Sequence, residues 1–409
     1  MTLKAILFDH TVLQKGLAYF PNEFPDFWNE LRSRGLSLVA MATHPQDLAR
    51  LRERFHQQGL CEPDLLLSRE DIPDQKNKGS PLWIATASQR LHVQPHELTY
   101  VGDDVLAWRT AMNGGVLYLH ALWSEQPGRV PRVIGVNRPQ DLLIFLDHML
   151  LRSPTWSFRI DSASERVHLR CLLPANTDLP GDHGSFRLQD IFTYNRTDIT
   201  VGGTPALHLL MLHALGNLYA EGLIRPGTYF CSYPPHAPGE TNPVLDGFLG
   251  PATAFFARSY LRPWIRRFSP APDTSRLRAR GGQADFTNQT NTVCLDSTAC
   301  NTLSRGPTVI VFDDFTTDGM SLGWANNLLL AAGAAKVVLV AIGKYGKRHN
   351  QYIPRIRINP FEEATYAPSD FHRNSLLLTP DSGAETTLKL LFKDWQDKRP
   401  AVYLIGNDS

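Results

Sequence analysis

The chain has 409 residues, long enough for two or three domains, and 43% of them are hydrophobic, as in ordinary globular proteins. Its formal net charge is +1, so overall charge gives no reason to expect a nucleic-acid or membrane partner. The five cysteines are scattered without metal-ligand spacing, and the longest apolar run is interrupted, so we expect a cytoplasmic protein with reduced thiols and no membrane span.

Apolar strands alternate with helices over the first part of the chain. The run LKAILFD at residues 3–9 predicts a buried parallel strand that ends in aspartate, and a helix at 24–34 and a strand at 36–42 follow. The alternation continues to a helix at 139–151. It predicts an α/β fold with a doubly wound, Rossmann-like parallel sheet over residues 1–151.

A second alternation follows a short linker, LRSPT, at 151–155. Its order predicts another doubly wound parallel-sheet domain over residues 156–409. The sequence after 342 mixes strand-like and loop-like pieces. The predicted elements are a hairpin at 156–160 and 167–173, a helix at 204–221, strands at 228–232 and 308–312, a helix at 321–332 and a strand at 336–342.

Four short polar segments of the first domain occur in order, each beside an apolar strand or at the start of a helix. They are AILFDHT with Asp9, LVAMATH with Thr43, KGSP with Lys78, and YVGDD with Asp103 and Asp104. Together they predict an aspartyl-phosphate site in which Asp9 is the nucleophile and Thr43 and Lys78 hold the phosphoryl oxygens. Taken singly, each is also consistent with an ordinary strand end or a solvent-facing side chain.

This ordered set resembles the haloacid dehalogenase-like (HAD) hydrolases over residues 1–151. Thr11 stands where phosphatases of that family usually have a second, proton-transferring aspartate, and Val12, Leu13 and Ala107 also depart from the pattern, although Asp104 could replace the late acid. The resemblance implies either a phosphatase or a phosphate-binding domain without fast hydrolysis. The spacing of the segments leaves no room for a cap domain. The implied magnesium ligands are Asp9, Thr11, Asp103 and Asp104.

The segment VIVFDDFTTDGMS at 309–321 has a different chemistry. Four apolar residues lead into two acids, Asp313 and Asp314, then a hydroxyl-rich turn with Gly319 and a helix. A turn that opens a helix presents free backbone N–H groups to a phosphate, and the paired acids can accept hydrogen bonds from sugar hydroxyls. This order predicts a site for a phosphorylated sugar, although an unliganded strand–helix turn has the same general form.

The segment resembles the motif with which type I phosphoribosyltransferases bind 5-phosphoribosyl-1-pyrophosphate (PRPP). Asp318 departs from it, because Thr or Ser is frequent there. The resemblance implies a second doubly wound domain, with Asp313 and Asp314 as catalytic acids, magnesium as cofactor, and a nucleobase or nucleotide as the other ligand. It also implies a pyrophosphate loop, for which an ordinary Pro-rich turn is the alternative. The implied PRPP-binding residues are Asp313, Asp314, Thr316, Thr317, Asp318, Gly319, Met320, Ser321, Ser232 and Tyr233.

The stretch Arg258 to Arg280 holds seven arginines interleaved with aromatic residues. Arginines there could clamp pyrophosphate, grip a single-stranded nucleic acid, or form a solvated surface.

Three functions follow as hypotheses. The first is a phosphoribosyltransferase acting on a nucleobase or related nitrogen acceptor, fused to a HAD-like phosphatase domain. The second is a non-catalytic PRPP- or nucleotide-sensing regulator with a nucleic-acid-binding basic stretch. The third is a phosphatase that acts on a phosphorylated polymer. A homodimer is conceivable in each case.

Overall fold

The computed structural model describes residues 3–124, 130, 133–162, 167–193, 198–256, 259–271 and 285–405. The described chain forms two large sheets flanked by helices, and four small two-stranded sheets, so the predicted α/β class is confirmed. None of its helices is both long enough and apolar enough to span a membrane.

The first sheet has seven strands in the order β21-β6-β5-β4-β1-β2-β3, and all neighbours are parallel except β21 and β6. Every residue of β1 is buried, as the apolar run predicts. The elements of this part are β1 (Ala5–Asp9), α1 (His10–Tyr19), α2 (Phe24–Ser33), β2 (Ser37–Met41), α3 (Pro45–Gln57), β3 (Leu65–Leu67), α4 (Leu82–Leu91), β4 (Leu98–Gly102), α5 (Val105–Gly114), β5 (Leu117–Ala121), β6 (Val133–Val136) and α6 (Pro139–Met149).

The second part of the chain begins with a predicted hairpin, which is confirmed. Its elements are β7 (Phe158–Ser162), β8 (Val167–Pro174), β9 (Asp178–Leu179), β10 (Phe186–Arg187), α7 (Leu188–Thr193), β11 (Thr200–Val201), β12 (Thr204–Pro205), α8 (Ala206–Ala220), β13 (Tyr229–Ser232), α9 (Pro243–Ala252), β14 (Tyr260–Leu261), β15 (Ile265–Arg267), α10 (Thr287–Thr290), β16 (Val293–Leu295), α11 (Cys300–Leu303), β17 (Thr308–Thr316), α12 (Met320–Ala331), β18 (Lys336–Lys344), β19 (Arg348–Pro354), β20 (Phe371–Leu377), α13 (Ser382–Lys398) and β21 (Val402–Ile405).

The second large sheet has six strands in the order β14-β13-β17-β18-β8-β7. All neighbouring strands are parallel except β7 and β8. The chain runs from β13 to β14 on one side and returns to β17 on the other side of β13. The first sheet reverses in the same way, with β2 on one side of β1 and β4 on the other. In open α/β sheets such a reversal opens a crevice at the carboxyl ends of the two central strands.

One hydrophobic cluster joins the two large sheets, and each sheet has a further cluster of its own. Helix α8 is apolar on all sides and almost wholly buried, as expected for a helix enclosed by other elements. The hydroxyl of Tyr219 in α8 donates to the carbonyl of Leu98 at 2.7 Å and accepts from the amide of Leu117 at 3.0 Å, both in the first sheet. Strand β21 pairs with β6, so the end of the predicted second domain joins the first sheet. The predicted linker falls between α6 and β7.

Candidate functional site

The first candidate site lies where the order of the first sheet reverses, between β1 and β4. Asp9 is the last residue of β1 and pairs in register with Met41 of β2. On the other side, Phe8 pairs with Val101, so Asp103 follows directly after the neighbouring strand end. The parallel register therefore brings together side chains that are far apart in the sequence, at the edge where ligands of such sheets bind.

Asp9 is buried and strongly hydrogen-bonded. The ammonium group of Lys78 lies 2.7 Å from each of its carboxylate oxygens, and the hydroxyl of Tyr100 donates to it at 3.3 Å. The Nδ1 atom of His10 is 3.2 Å from the same carboxylate. Burial is the largest influence and would raise the pKa of Asp9, but the charges of Lys78 and His10 and their hydrogen bonds together outweigh it, so the pKa lies below its ordinary value. Asp9 is thus an ionised carboxylate at neutral pH.

Three carboxylates converge at this site. Oxygen atoms of Asp9, Asp103 and Asp104 all lie within 4.8 Å of one another. Ser124 donates to one oxygen of Asp103 at 2.6 Å, while the other, Oδ1, is buried without a hydrogen-bond partner among the described residues. Burial, and then the charge of Asp9, raise the pKa of Asp103. Hard oxygen ligands at this spacing suit magnesium, and the unpaired buried oxygen fits a cation that would satisfy it.

The structure places the remaining predicted residues around Asp9. Thr11 lies in the first turn of α1, and its buried hydroxyl is near Asp103, whose pKa it lowers. Thr43 follows β2 at the same sheet edge, and Lys78 also approaches the carbonyl of Met41 there, at 3.4 Å. These residues are near one another because the ends of β1, β2 and β4 meet.

Three further side chains touch the site and were not identified from the sequence. His10 could have been, because it adjoins the proposed nucleophile. Tyr100 lies in the middle of β4, and Ser124 lies in a short helical turn after β5, where neither has a distinguishing local pattern. Their roles depend on contacts between distant segments.

The second candidate site lies where the second sheet reverses, between β13 and β17. Ser232 pairs in register with Phe312, and the amide of Tyr233 donates to the carbonyl of Phe312 at 2.8 Å. The segment predicted as a pyrophosphate loop therefore begins beside Asp313. The hydroxyl of Tyr233 is turned inward, since it donates to Gln289 at 2.8 Å.

The paired acids stand near the end of β17, which continues to Thr316. Asp313 is buried, whereas Asp314 is partly exposed. Their carboxylates accept hydrogen bonds from the backbone amides of the next residues, Asp314 at 3.1 Å and Phe315 at 2.7 Å. Burial, and then the charge of Asp314, raise the pKa of Asp313 well above its ordinary value. No lysine or arginine among the described residues forms an ion pair with either acid, although the charge of Arg267 acts against the rise in the pKa of Asp313.

The turn after β17 is held in place by hydrogen bonds from residues outside it. Lys344 donates to the carbonyl of Thr317, and the amide of Asn350 donates to the carbonyl of Asp318 at 2.7 Å. Gly319 has φ +87°, and a Cβ atom there would lie 2.4 Å from Cε1 of His349, so only glycine fits. Helix α12 then begins at Met320, and its first amides have no partners within the helix. This arrangement can bind a phosphate.

The structure corrects one part of the arginine prediction. Arg267 is buried in β15, where it donates to Thr292 at 2.6 Å and to Gln289 at 3.3 Å, so it supports the fold and does not clamp a ligand. Arg266 pairs with Glu363 at 3.0 Å. Of the other arginines in this stretch, Arg262 is described, while Arg258, Arg276, Arg278 and Arg280 lie outside the described residues.

No protein-family model and no curated protein matches the chain. Among solved structures, the chain is similar to a HAD-superfamily hydrolase of subfamily IA from Geobacter sulfurreducens. The identity is 11% over 36% of this chain and 97% of that chain, with a TM-score of 0.27. It is also similar to a HAD-superfamily hydrolase from Ehrlichia chaffeensis, at 12% identity over 35% of this chain and 95% of that chain, with a TM-score of 0.26. We infer the function from the residues of the two sites.

Proposed function

We propose that the first site performs magnesium-dependent phosphoryl chemistry through an aspartyl-phosphate on Asp9, as its resemblance to HAD-like hydrolases implies. The observation that carries this proposal is the state of Asp9 at the sheet reversal. It is ionised, it is buried beside Lys78, and two more carboxylates lie within 4.8 Å of it. A structural ion pair needs one cation for one carboxylate, whereas three carboxylates around one lysine leave a surplus of negative charge.

Each residue has a role that follows from its position. Asp9 would attack the phosphorus atom while the bond from phosphorus to the ester oxygen breaks, and the alcohol would leave with a proton taken from water. Lys78 would then pair with the phosphoryl oxygens and offset their charge. Magnesium, when bound by Asp9, Asp103 and Asp104, would neutralise the carboxylates and the phosphate. Thr11 stands where the resemblance places the proton-transferring aspartate, but its hydroxyl cannot act as a general acid or base at neutral pH. We therefore expect the aspartyl-phosphate to form faster than it is hydrolysed.

The test compares wild type with Asp9→Asn on a panel of phosphomonoesters with magnesium. Wild type should gain one phosphoryl group, seen by intact-protein mass spectrometry after an acid quench, and should release phosphate slowly. Asp9→Asn should do neither, while the exposed control Asp178→Asn should behave as wild type. If Asp9→Asn releases phosphate at the wild-type rate, Asp9 is not the nucleophile.

A second function is favoured by the reversal of the second sheet, where Asp313, Asp314 and the turn before α12 meet the loop after β13. This part would bind PRPP, with the two acids accepting hydrogen bonds from ribose hydroxyls and the amides of the turn holding the 5-phosphate. In transfer, the bond from C1 to pyrophosphate breaks and a nitrogen acceptor bonds to C1. The alternative is a regulator that binds PRPP without transfer.

Two measurements distinguish these cases. Saturating PRPP with magnesium should raise the melting temperature, because a ligand that binds only the folded state adds stability by mass action. Pyrophosphate release on addition of nucleobases would identify a transferase, and a thermal shift without release would identify a regulator. The absence of any shift in folded protein would reject PRPP binding. Asp9→Asn should leave these results unchanged.

A further inference from the structure

Strands β19 and β20 belong to a part of the chain that is rich in basic residues. No aspartate or glutamate lies between Asp318 and Glu362, although the whole chain has 41 basic and 40 acidic residues. The two strands form an antiparallel sheet of their own. We call residues 347–357 and 371–377 the basic ribbon. Its lysine and arginine residues are Lys347, Arg348, Arg355, Arg357 and Arg373.

These five cations are all exposed, and none of them forms an ion pair with a described residue. By contrast, the partly exposed Arg266 pairs with Glu363 at 3.0 Å. Asp370 adjoins the ribbon in the sequence, but its carboxylate accepts a hydrogen bond from the amide of Ala367 at 2.8 Å. A solvated face usually mixes both signs of charge, whereas a surface of one sign attracts a partner of the opposite sign. The ribbon therefore favours an anionic partner.

The cations stand at both ends of the ribbon. Lys347 and Arg348 lie at its start, and Arg355 and Arg357 follow the far end of β19. The strand itself, Arg348–Pro354, has seven residues and spans about 20 Å at about 3.4 Å per residue. A single small phosphate ligand cannot contact both ends, but an extended polyanion can.

One face of the ribbon combines charge with an exposed apolar side chain. Arg348 pairs in register with Leu377, and Tyr352 pairs with Arg373. Because residues 348 and 352 are four apart in one strand, these side chains project from the same face. Leu377 is 80% exposed, more than any other large hydrophobic residue described. Guanidinium groups hold phosphates through paired donors and stack on bases, and an apolar side chain can cover a base, so this face suits nucleotides.

The packing of the ribbon argues against a nucleic-acid duplex. Tyr352 stacks on Phe286, with ring centroids 3.7 Å apart, and its carbonyl accepts from Asn327 of α12 at 2.7 Å. The ribbon therefore lies on the protein. A two-stranded ribbon that reads a duplex must instead enter the major groove.

The arrangement of the apolar residues argues against a membrane. Leu377 projects from the face that carries Arg348, whereas Ile353 pairs with His372 and projects from the opposite face. A segment that lies in a membrane surface needs one continuous apolar face. The ribbon has its exposed apolar residues divided between two.

We propose that the basic ribbon binds the backbone of a single-stranded nucleic acid, with the cations at both ends on phosphates and Leu377 against a base. This surface is separate from the arginine stretch at 258–280. The proposal depends neither on phosphoryl chemistry at Asp9 nor on PRPP binding.

The test measures binding to the full chain by fluorescence anisotropy, without PRPP or magnesium. The probes are labelled oligouridylate and oligodeoxythymidylate of about 20 nucleotides, longer than common single-strand sites. Wild type should bind, with an affinity that falls as salt rises. Each phosphate contact contributes about 0.7 to the slope of log K against log salt for a single strand. Arg348→Gln, Arg355→Gln and Arg357→Gln together should therefore lower the slope by about 2 and weaken binding about a hundredfold in about 0.1 M salt.

Two further variants separate charge from base contact. Arg50→Gln, Arg52→Gln and Arg54→Gln together remove the same charge from exposed positions of α3 and should bind as wild type. Leu377→Gln should weaken binding and leave the slope unchanged, because it removes an apolar contact and no charge. Melting temperatures check that each variant is folded. If the ribbon triple variant does not fold, Arg355→Gln with Arg357→Gln replaces it, with an expected change in slope of about 1.4.

The proposal is overturned if neither oligonucleotide binds, or if the ribbon variant keeps the wild-type affinity and slope. It is also overturned if the α3 control weakens binding as much, or if Leu377→Gln binds as tightly as wild type. The matching duplex, polyglutamate and phosphatidylserine vesicles test the other partners. Tighter binding of any of these than of the single strands, lost in the ribbon variant, would assign the ribbon to that partner instead.

Discussion

Asp103→Asn should stabilise the protein in the absence of magnesium and abolish its response to magnesium. The substitution keeps the shape of the side chain, and its carbonyl oxygen can still accept the hydrogen bond from Ser124. What it removes is one of the three charges that converge at the first site. Because Lys78 pairs with Asp9, the charge of Asp103 lacks its own cation until a metal binds.

The magnitude follows from the spacing of the carboxylates. Two unit charges 4.8 Å apart repel by about 3 kcal/mol at an effective dielectric constant of roughly 20. The attraction of Lys78 to Asp103 offsets part of this repulsion, so we expect a gain of about 1–3 kcal/mol in the free energy of unfolding. Magnesium at a hundred times its dissociation constant should add about 2.7 kcal/mol to wild type and almost nothing to the variant.

Urea unfolding followed by tryptophan fluorescence, with EDTA and then with magnesium, measures both effects. The exposed control Asp178→Asn should match wild type in each condition. The reasoning is refuted if Asp103→Asn unfolds at lower urea than wild type in EDTA while magnesium stabilises both proteins equally. That result would mean that Asp103 has a structural partner and that any metal binds elsewhere.

Three other substitutions test the rest of the structure. Gly319→Ala should lower the free energy of unfolding by at least about 1–2 kcal/mol, because the left-handed backbone disfavours alanine, and it should also weaken PRPP binding. The double variant with His349→Ala should recover part of the lost stability, measured as the melting temperature. Asp313→Asn with Asp314→Asn should melt near wild type and lose PRPP binding in calorimetry; a low melt with PRPP affinity kept would contradict the ligand role. The pKa of Asp161 falls from 3.8 to about 2. Burial would raise it, but hydrogen bonds from Arg159, His168 and Arg170 lower it further than burial raises it. Its stabilisation is therefore present above pH 3.8 and lost as the pH falls to about 2, so the urea midpoints of wild type and Asp161→Asn should converge over that range, and a constant difference would contradict this.

Local patterns were sufficient for most of the helices and strands. The helix predicted at 204–221 is observed at Ala206–Ala220, and the alternation of the first domain is reproduced. The sequence after 342 was harder, although Ser382–Lys398 does bury an apolar stripe at helical spacing. The pairing of β21 with β6 joins segments that are far apart along the chain, and no local pattern encodes it.

The site residues also divide into those that a local pattern identifies and those that only the tertiary fold brings to the site. Asp9 and Asp103 were identifiable because each follows an apolar strand, and parallel strands place their ends together. Tyr100 and Ser124 were not, because only the tertiary fold brings them to the carboxylates. Arg267 looked like a free basic residue, but β15 pairs with β16 and turns its side chain into the protein.

The two candidate sites share a physical signature that a stable fold alone does not require. In each site, a buried aspartate near the carboxyl end of a central strand has a raised pKa. Burial is the main cause and a neighbouring carboxylate is the next: Asp9 raises the pKa of Asp103, and Asp314 raises the pKa of Asp313. Burying a charge next to a like charge destabilises a protein unless something else compensates for it. Both sites also stand where the strand order of a parallel sheet reverses, which is where such sheets open toward a ligand. Because the strands themselves are apolar, we propose that a ligand or cation compensates the carboxylates at each of these two sites.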